Sequence, residues 1–431
     1  MEIFIAVLLI GVMLAVLGSG LWIGLSLLGV AVFGMEMLTS RPAGDSMALT
    51  IWGSTSSWTL TALPLFLWMG EILFRSKLSE DMFKGLAPWL ERLPGRLLHV
   101  NIIGCTIFAA VSGSSAATCA TIGKIALPEL KKRGYPEDIT LGTLAGAGTL
   151  GLLIPPSIIM IVYGVAANVS IADLFIAGVM PGLLLAVLFM GYVMLWALRH
   201  PDAIPAAGAS TSFAEKIYAS RHLIPVVTLI VAVLGSIYSG VATATEAAAF
   251  GVAGALILAR VEGSLTWAVF ADGLIGATRV YCMIGLILAG AAFLTLSMGF
   301  IGLPRHLAEF VGTLNLSPFM LILVLMVLFV VLGCFLDGIS IVVLTISVLL
   351  PTVQKAGIDL IWFGIFIVLV VEMAQITPPV GFNLFVLQGL TKREISHIAK
   401  TAFPMFLLMV AAVLLVYFFP DIVTALPAKM K

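Results

Sequence analysis

Charged residues are scarce in this sequence, and the two signs balance. They make up 10% of the 431 residues, against about 25% in soluble domains. The 22 Lys and Arg residues equal the 22 Asp and Glu residues, so no basic surface is available for nucleic acid and no acidic tail for a basic partner. A soluble globular domain and a nucleic-acid-binding protein are both excluded.

Cysteine and histidine are too few and too dispersed to carry chemistry. The four cysteines lie in apolar segments without a CxxC spacing, and we interpret them as packing thiols. The five histidines lie at or near segment ends, so they offer no proton relay through a bilayer. The HExxH and GxSxG motifs are absent. These absences argue against an intramembrane enzyme, which would need a base or a metal cluster.

Hydrophobic residues dominate what is present. They form 61% of the chain, and apolar runs of about 17 to 25 residues recur from end to end, which is the length that a transmembrane helix needs. The first 39 residues lack a basic start and a cleavage pattern, so we interpret them as two retained helices. The sequence predicts a polytopic protein embedded in a lipid bilayer.

A repeat with an offset of 223 residues divides the chain into two halves. The offset relates Lys132 to Lys355 and Gly134 to Gly357, and it also relates four proline pairs. These pairs are Pro128 and Pro351, Pro155 and Pro378, Pro156 and Pro379, and Pro181 and Pro404. The agreement indicates two homologous halves, joined by the polar stretch at 199–221.

The placement of Lys and Arg predicts the topology. If each half has five crossings and one re-entrant hairpin, and both termini are outside, 17 of the 22 basic residues fall inside and 5 outside. Basic residues favour the cytoplasmic side. An odd number of crossings per half inserts the second half upside down, and inverted repeats are typical of secondary transporters.

Two polar segments within apolar stretches are predicted hairpin tips. Residues 112–118 read SGSSAAT, and the offset carries them to 335–341, which read FLDGISI. Asp337 in the second tip would lie at mid-membrane, where a carboxylate costs about 2.5–3.5 kcal/mol. It must be paired, hydrated or bound to a cation, or it caps the hairpin helix by accepting backbone N–H groups.

Tandem prolines predict two interrupted helices, with simple kinks as the alternative. The breaks are expected at 146–157 (GAGTLGLLIPPS) and 372–381 (EMAQITPPVG), because proline cannot continue the helix ladder. Pro156 and Pro379 suit the first turn of each following half-helix, whose N–H groups favour an anion, while the preceding carbonyls favour Na⁺. Nearby, Glu372 and Gln375 could line a cavity or cap a half-helix.

These features predict an all-α polytopic membrane protein with two inverted repeats. Each repeat holds a re-entrant hairpin and an interrupted helix, arranged as elevator-type scaffold and transport domains. The predicted parts are a first scaffold part with an amphipathic arm (1–97), a first transport part (98–172), a span, linker and second scaffold part (173–315), a second transport part (316–390) and a final span (391–431).

Several motifs together resemble the large membrane subunit of a tripartite ATP-independent periplasmic (TRAP) transporter. They are SGSSAAT at 112–118, PELKKRGY at 128–135, LIPPS at 153–157, LDG at 336–338 and ITPPVGFNLFV at 376–386. The resemblance covers nearly the whole chain and implies a Na⁺-driven elevator that imports organic acids across the bacterial inner membrane. It also implies two partners, a separate small four-helix membrane subunit and a periplasmic substrate-binding protein.

The resemblance further implies where substrate and Na⁺, the expected cofactor, are bound. The implied substrate-binding residues are Ser114, Ser115, Thr118, Pro156, Ser157, Pro379, Gly381 and Asn383. The implied Na⁺ ligands are Ser112, Ser114, Gly148, Gly151, Pro155, Asp337, Gly338 and Thr377.

Two other transport functions stay open. A stand-alone divalent-anion/Na⁺ symporter has a similar architecture and needs no binding protein. A channel is less favoured, because two opposed hairpins at mid-membrane would obstruct a continuous pore.

Overall fold

The computed structural model describes residues 18–205, 212–314, 316–379 and 381–430, together with residues 8, 11–13 and 15–16. Most of the predicted first span and the centre of the predicted linker, 206–211, lie outside the described residues. Within these ranges the secondary structure is helical, as the apolar runs predict.

Twenty α-helices are present in the described ranges, and we number them in chain order. The first half contains α1 (Ile23–Leu38), α2 (Ala43–Thr55), α3 (Ala62–Phe74), α4 (Leu78–Leu90), α5 (Leu98–Ser112), α6 (Ser115–Lys132), α7 (Glu137–Leu153), α8 (Ile158–Ala167) and α9 (Ile171–Arg199). The second half contains α10 (Phe213–Ser220), α11 (Ile224–Tyr238), α12 (Ala244–Val261), α13 (Trp267–Ile301), α14 (Leu303–Thr313), α15 (Pro318–Gly333), α16 (Gly338–Lys355), α17 (Leu360–Gln375), α18 (Phe382–Thr391), α19 (Ile395–Phe418) and α20 (Asp421–Lys429).

Length and apolar composition identify the candidate membrane spans. Among the described residues, α9, α12, α13 and α19 each qualify alone, and there are up to eight spans if each bent helix pair is one span. The sequence predicts ten crossings. The difference arises because the predicted first span lies largely outside the described ranges and because several apolar helices, such as α1 and α17, have only 10–17 residues.

Small residues let α1 and α13 pack closely. A Cβ atom added to Gly24 would lie 2.8 Å from the Leu286 backbone, and one added to Gly290 would lie 2.6 Å from the Gly24 carbonyl oxygen. Ser297 also donates a 3.0 Å hydrogen bond to the Ala31 carbonyl oxygen. Such contacts hold helix pairs together in a bilayer, where hydrophobicity alone does not. We call α1–α3 and α11–α13 the frame.

The helix bounds of the two halves agree at the 223-residue offset in the hairpins. The second hairpin helices, α6 at Ser115–Lys132 and α16 at Gly338–Lys355, begin and end at corresponding positions. The frame departs from this agreement, because α2 and α3 are bent by 57° at their junction, whereas their counterpart α13 is one helix of 35 residues.

The two interrupted helices run in opposite directions. At one end, Glu137 at the start of α7 forms an ion pair with Arg393, which follows α18. At the other end, the Tyr163 hydroxyl in α8 donates a 2.6 Å hydrogen bond to the Leu360 carbonyl oxygen at the start of α17. This antiparallel arrangement agrees with an inverted repeat, while the inversion of the complete halves stays a prediction.

Candidate functional site

Tip 1, residues 113–114, joins the hairpin helices α5 and α6. Gly113 has a φ of 60°, a left-handed conformation that glycine adopts without strain. Ser114 caps α6, since its Oγ accepts the Ala117 N–H at 3.4 Å. Ser112 Oγ lies 2.6 Å from Thr118 Oγ1 across the turn. Hydroxyl oxygens therefore cluster where the SGSSAAT motif predicts a hairpin tip.

Break 1, residues 154–157, separates α7 from α8 and is shorter than the predicted break at 146–157. The helix continues through its glycines to Leu153, because only the tandem prolines and the residue before them resist helical geometry. Ser157 caps α8, and its Oγ accepts the Met160 N–H at 3.3 Å. Pro156 precedes this cap, so its predicted place in the first turn of α8 is wrong.

The tandem prolines leave two carbonyl groups at the end of α7 without helical donors. A helical carbonyl accepts the N–H of the residue four positions later, and proline has no N–H. Since Pro155 and Pro156 occupy these donor positions for Gly151 and Leu152, both carbonyls are free to bind another group. This is the carbonyl-rich helix end that the sequence predicts.

Tip 1 lies directly against break 1. The Ile158 N–H, at the start of α8, donates a 3.3 Å hydrogen bond to the Gly113 carbonyl oxygen. A Cβ atom added to Gly113 would lie 2.8 Å from the Pro156 carbonyl oxygen. Glycine is required here both for its φ angle and for the close approach of the two backbones.

Gly148 and Gly151 lie within α7, on the face that contacts the first hairpin. A Cβ atom added to Gly151 would lie 2.5 Å from the Ser114 carbonyl oxygen and 2.6 Å from Thr118 Oγ1. At Gly148 it would lie 2.7 Å from the Cys119 Cβ atom. These glycines let the hairpin oxygens come within reach of the free carbonyls of α7.

Tip 2, residues 334–337, joins α15 and α16, and Asp337 caps α16. One carboxylate oxygen of Asp337 accepts the N–H groups of Ile339 and Ser340 at 3.1 and 3.2 Å, and the other accepts the Ser340 hydroxyl. The side chain is half-buried. Asp337 therefore has the capping role that the sequence left as an alternative, and it also borders a cavity.

Break 2, described at residues 376–379 and 381, begins later than the predicted break at 372–381, because α17 continues to Gln375. Gly381 precedes the first residue of α18, so Pro379 also lies before the helix rather than in its first turn. A Cβ atom on Gly381 would lie 2.8 Å from the Gln375 carbonyl oxygen and 3.0 Å from the Thr377 carbonyl oxygen. The Thr377 hydroxyl donates to the Met373 carbonyl oxygen at 2.7 Å.

Each hairpin contacts the second half-helix of the opposite repeat. The Ser115 hydroxyl donates a 3.0 Å hydrogen bond to Asn383 Oδ1, and Asn383 Nδ2 donates to the Ala145 carbonyl oxygen at 3.1 Å. At the position corresponding to Ser115, a Cβ atom on Gly338 would lie 3.4 Å from Ile159 Cδ1. The predicted site residues of both halves are therefore brought together.

A cavity of about 790 Å³ separates tip 2 from the frame. It is lined mainly by apolar residues of α1 and α13, together with Arg279, Cys282 and Asp337. Arg279 is one of the 17 basic residues that the predicted topology places on the inner side of the membrane. Its position within the long apolar helix α13 is the signal that could have marked it as a site residue.

Glu372 differs from both roles that the sequence offers for it, lining a cavity and capping a half-helix. Its side chain is fully buried, and neither carboxyl oxygen has a hydrogen-bond partner among the described residues. It therefore neither lines an open cavity nor caps a half-helix. Within the same residues, no cluster of three or more His, Cys, Asp or Glu side chains could hold a metal ion.

Two hairpins whose tips meet two interrupted helices are the architecture of secondary transporters, which bind their substrates where membrane helices break. Residues 10–422 match the family described as tripartite ATP-independent periplasmic transporter, DctM component. The chain belongs to this family, in which it corresponds to the large permease subunit.

Individual relatives agree with this assignment, and one solved structure shares the fold. The chain is 32% identical to the C4-dicarboxylate TRAP transporter large permease protein DctM of Rhodobacter capsulatus, covering 98% of both chains. It is 33% identical to the ectoine/5-hydroxyectoine TRAP transporter large permease protein UehC of Ruegeria pomeroyi, covering 84% of this chain and 85% of the relative. The crystal structure of the YdaH transporter of Alcanivorax borkumensis is similar in fold, with a TM-score of 0.61 at 16% identity over 86% of this chain and 87% of that one.

The protein is therefore a multi-pass membrane permease rather than an enzyme. The resemblance seen in its motifs is confirmed by the family match.

Proposed function

We propose that this chain is the permease of a Na⁺-coupled importer of organic acids that depends on a binding protein. The observation that carries the proposal is the meeting of both hairpin tips with both interrupted helices. Unpaired carbonyl oxygens, hydroxyls and helix N-termini lie side by side there. Such a site can bind a cation and an anion together, which is what Na⁺-coupled import of an acid requires.

The first proposed Na⁺ site lies between tip 1 and the end of α7. Ser112 and Ser114 supply oxygens from the tip, and Gly151, whose carbonyl has no helical donor, packs against the tip from α7. Gly148 and Pro155 flank this carbonyl on the same helix end. Hard cations prefer oxygen ligands of this kind, so the residues present suit Na⁺.

The second proposed Na⁺ site lies between tip 2 and break 2. Asp337 supplies a half-buried carboxylate, and Gly338 begins the helix that it caps. Thr377 adds a carbonyl and a hydroxyl oxygen from break 2. A bound cation would offset the cost of keeping the Asp337 charge at membrane depth.

We propose that the substrate carboxylate is bound near the N-terminus of α18. Gly381 precedes this helix, and the N–H groups of Phe382 and Asn383 belong to the first turn, which has no helical acceptors. Ser114, Ser115, Thr118, Pro156, Ser157 and Pro379 complete the proposed substrate-binding set. The named substrates of the relatives, C4-dicarboxylates and ectoines, favour a small carboxylate.

The proposed mechanism is an elevator within the bacterial inner membrane, with both termini periplasmic. The moving part, which we call the transport unit, comprises the hairpins α5–α6 and α15–α16 and the interrupted helices α7–α8 and α17–α18. The cavity between tip 2 and the frame forms part of the boundary between these two bodies. The proposed partners are a small four-helix membrane subunit on the frame and a periplasmic substrate-binding protein on the outer face.

Transport in proteoliposomes tests the coupling. The complete three-component system should take up substrate when an inward Na⁺ gradient is imposed, and uptake should fall to background when K⁺ replaces Na⁺. Moving one charge across 100 mV supplies about 2.3 kcal/mol. If the Na⁺ ions carried with each substrate outnumber its negative charges, uptake should therefore also respond to the membrane potential. Uptake that persists unchanged in K⁺ would reject Na⁺ coupling.

The same vesicles separate the tripartite importer from a stand-alone symporter. The permease alone should show negligible uptake, and activity should appear only after both partners are added. Robust Na⁺-driven uptake of free substrate by this chain alone would reject the dependence on a binding protein while leaving Na⁺ coupling intact.

A further inference from the structure

Glu372 is a fully buried carboxyl group in the centre of the transport unit. It lies on the last turn of α17, its side chain has an exposed fraction of 0%, and both oxygens lack a hydrogen-bond partner in the described part of the chain. An isolated ionised carboxylate in such a place is strongly unfavourable, because neither water nor a donor replaces its hydration. The carboxyl must therefore bind a positive charge.

The surroundings of Glu372 supply more acceptors than donors. The backbone N–H of Leu153, the last residue of α7, is directed at the carboxyl but does not reach hydrogen-bond geometry. The carbonyls of Gly151 and Leu152 on the same helix end have no helical donors, because prolines occupy the positions that would supply them. A carboxylate can only accept hydrogen bonds. Acceptors that outnumber the nearby donors are stabilised when a cation or a proton lies among them.

The side chains that could otherwise pair with Glu372 lie elsewhere. The Gln375 amide nitrogen, one turn along α17, lies 3.4 Å from a Cβ atom built on Gly338 and thus faces tip 2. No ion pair involves Glu372 among the residues described. The charged groups on the helices packed against α17 are Asp337 at tip 2 and residues at or near helix ends, such as Glu137, Asp173, Lys355 and Lys400.

We propose that Glu372 binds one monovalent cation, a proton or Na⁺, at the crossing of the two interrupted helices. The Glu372 carboxyl is not among the Na⁺ ligands proposed at the hairpin tips, although the Gly151 carbonyl borders both places. Since both oxygens are buried, bulk water does not reach the ion in this conformation. The ion can exchange only when α7 and α17 separate, so its binding is tied to the conformation of the transport unit.

Two measurements on the purified full-length protein in lipid test the proposal without relying on transport. Infrared spectroscopy detects the C=O stretching band of a protonated carboxyl, and equilibrium binding of radioactive Na⁺ counts the bound ions per chain. The variant is Glu372→Gln, which keeps the volume and is neutral. The matched control is Glu246→Gln, because Glu246 is an exposed residue in a capping box at the start of α12.

A bound proton and a bound Na⁺ ion predict different results in these two measurements. If the ion is a proton, Glu372→Gln should lose one protonated carboxyl per chain and keep its Na⁺ count. If the ion is Na⁺, the variant should bind one Na⁺ fewer and show no change in the band. Glu246→Gln should match the wild-type protein in both measurements.

An unchanged band together with an unchanged Na⁺ count in Glu372→Gln would overturn the proposal. Should Glu372→Gln fail to fold, Glu372→Asp serves instead, because it keeps the carboxyl but moves it by one methylene. For a bound proton, the aspartate should shift the band; for bound Na⁺, it should weaken binding of one ion. A variant with neither change would equally reject the assignment.

Discussion

The two hairpin-and-break pairs occupy corresponding positions in the sequence but differ in their surroundings. Pro155 and Pro156 in break 1 are buried beneath tip 1, which accepts a hydrogen bond from the start of α8. Pro378 and Pro379 in break 2 are exposed, and tip 2 borders the cavity against the frame. In this conformation the first pair is closed and the second is open.

The residue that caps each hairpin helix accounts for this difference. Ser114 and Asp337 both cap through a side-chain oxygen, but burying an ionised carboxylate costs far more than burying a hydroxyl. An uncharged tip can therefore close onto its break, while a charged tip needs a cavity or a cation. The asymmetry of the two pairs follows from chemistry at one position in each hairpin.

Filling the contact between tip 1 and α7 should have the largest effect. Gly151→Ala places a methyl group 2.5 Å from the Ser114 carbonyl oxygen, and backbone atoms cannot move aside cheaply. Overpacking of this kind costs about 1–3 kcal/mol, so uptake in the complete system should fall by about tenfold or more. Gly389→Ala is the control, because no atom lies within 4 Å of its added Cβ; equal uptake by both variants would show that tip 1 need not close.

Removing the charge at tip 2 should have the next largest effect. Asp337→Asn keeps a good helix cap but removes the carboxylate, so the Na⁺ concentration for half-maximal uptake should rise by about tenfold, corresponding to roughly 1.4 kcal/mol. The amount of folded protein should stay the same. Asp359→Asn is the control, since Asp359 caps α17 through the Trp362 N–H at 2.9 Å; unchanged Na⁺ affinity in Asp337→Asn would leave Asp337 with its capping role alone.

The sequence predicts the helical breaks and tips because their signals are local. Tandem prolines stop a helix wherever they occur, and SGSSAAT and LDG mark the turns. The extent of break 1 was less predictable, because Gly148 and Gly151 are weak helix formers in isolation. Within α7 they are kept helical by the hairpin that packs against them, which is a tertiary effect.

The less predictable site features are contacts between distant segments. Asn383 was predicted to bind substrate, but its amide bridges Ser115 and Ala145 across the two halves, and no local pattern indicates this. The lack of a hydrogen-bond partner for Glu372 likewise depends on the side chains of the surrounding helices, which a local sequence pattern does not reveal. Arg279 becomes a cavity residue only because α13 passes tip 2.

The hydrogen bond between the two halves should have a moderate effect that a double-mutant cycle can measure. Ser115→Ala, Asn383→Leu and the combined variant should show a coupling of about 1 kcal/mol in thermal unfolding, the net value of a buried hydrogen bond. The corresponding contact at Gly338 and Ile159 is apolar, so Ile159→Ala should show no coupling to Asn383→Leu. Strict additivity of the Ser115 and Asn383 substitutions would mean that this bond does not hold the halves together.

The ion pair at the end of the interrupted helices should have the smallest effect. Arg393 binds both carboxylate oxygens of Glu137, but the two side chains are 53% and 45% exposed. Exposed pairs contribute about 0–1 kcal/mol and are screened by salt. Arg393→Gln should therefore change uptake by less than about twofold and lower the melting temperature only at low ionic strength. A loss of uptake as large as that of Gly151→Ala would mean that this exposed ion pair, rather than the contacts at the buried tips, holds the two halves together.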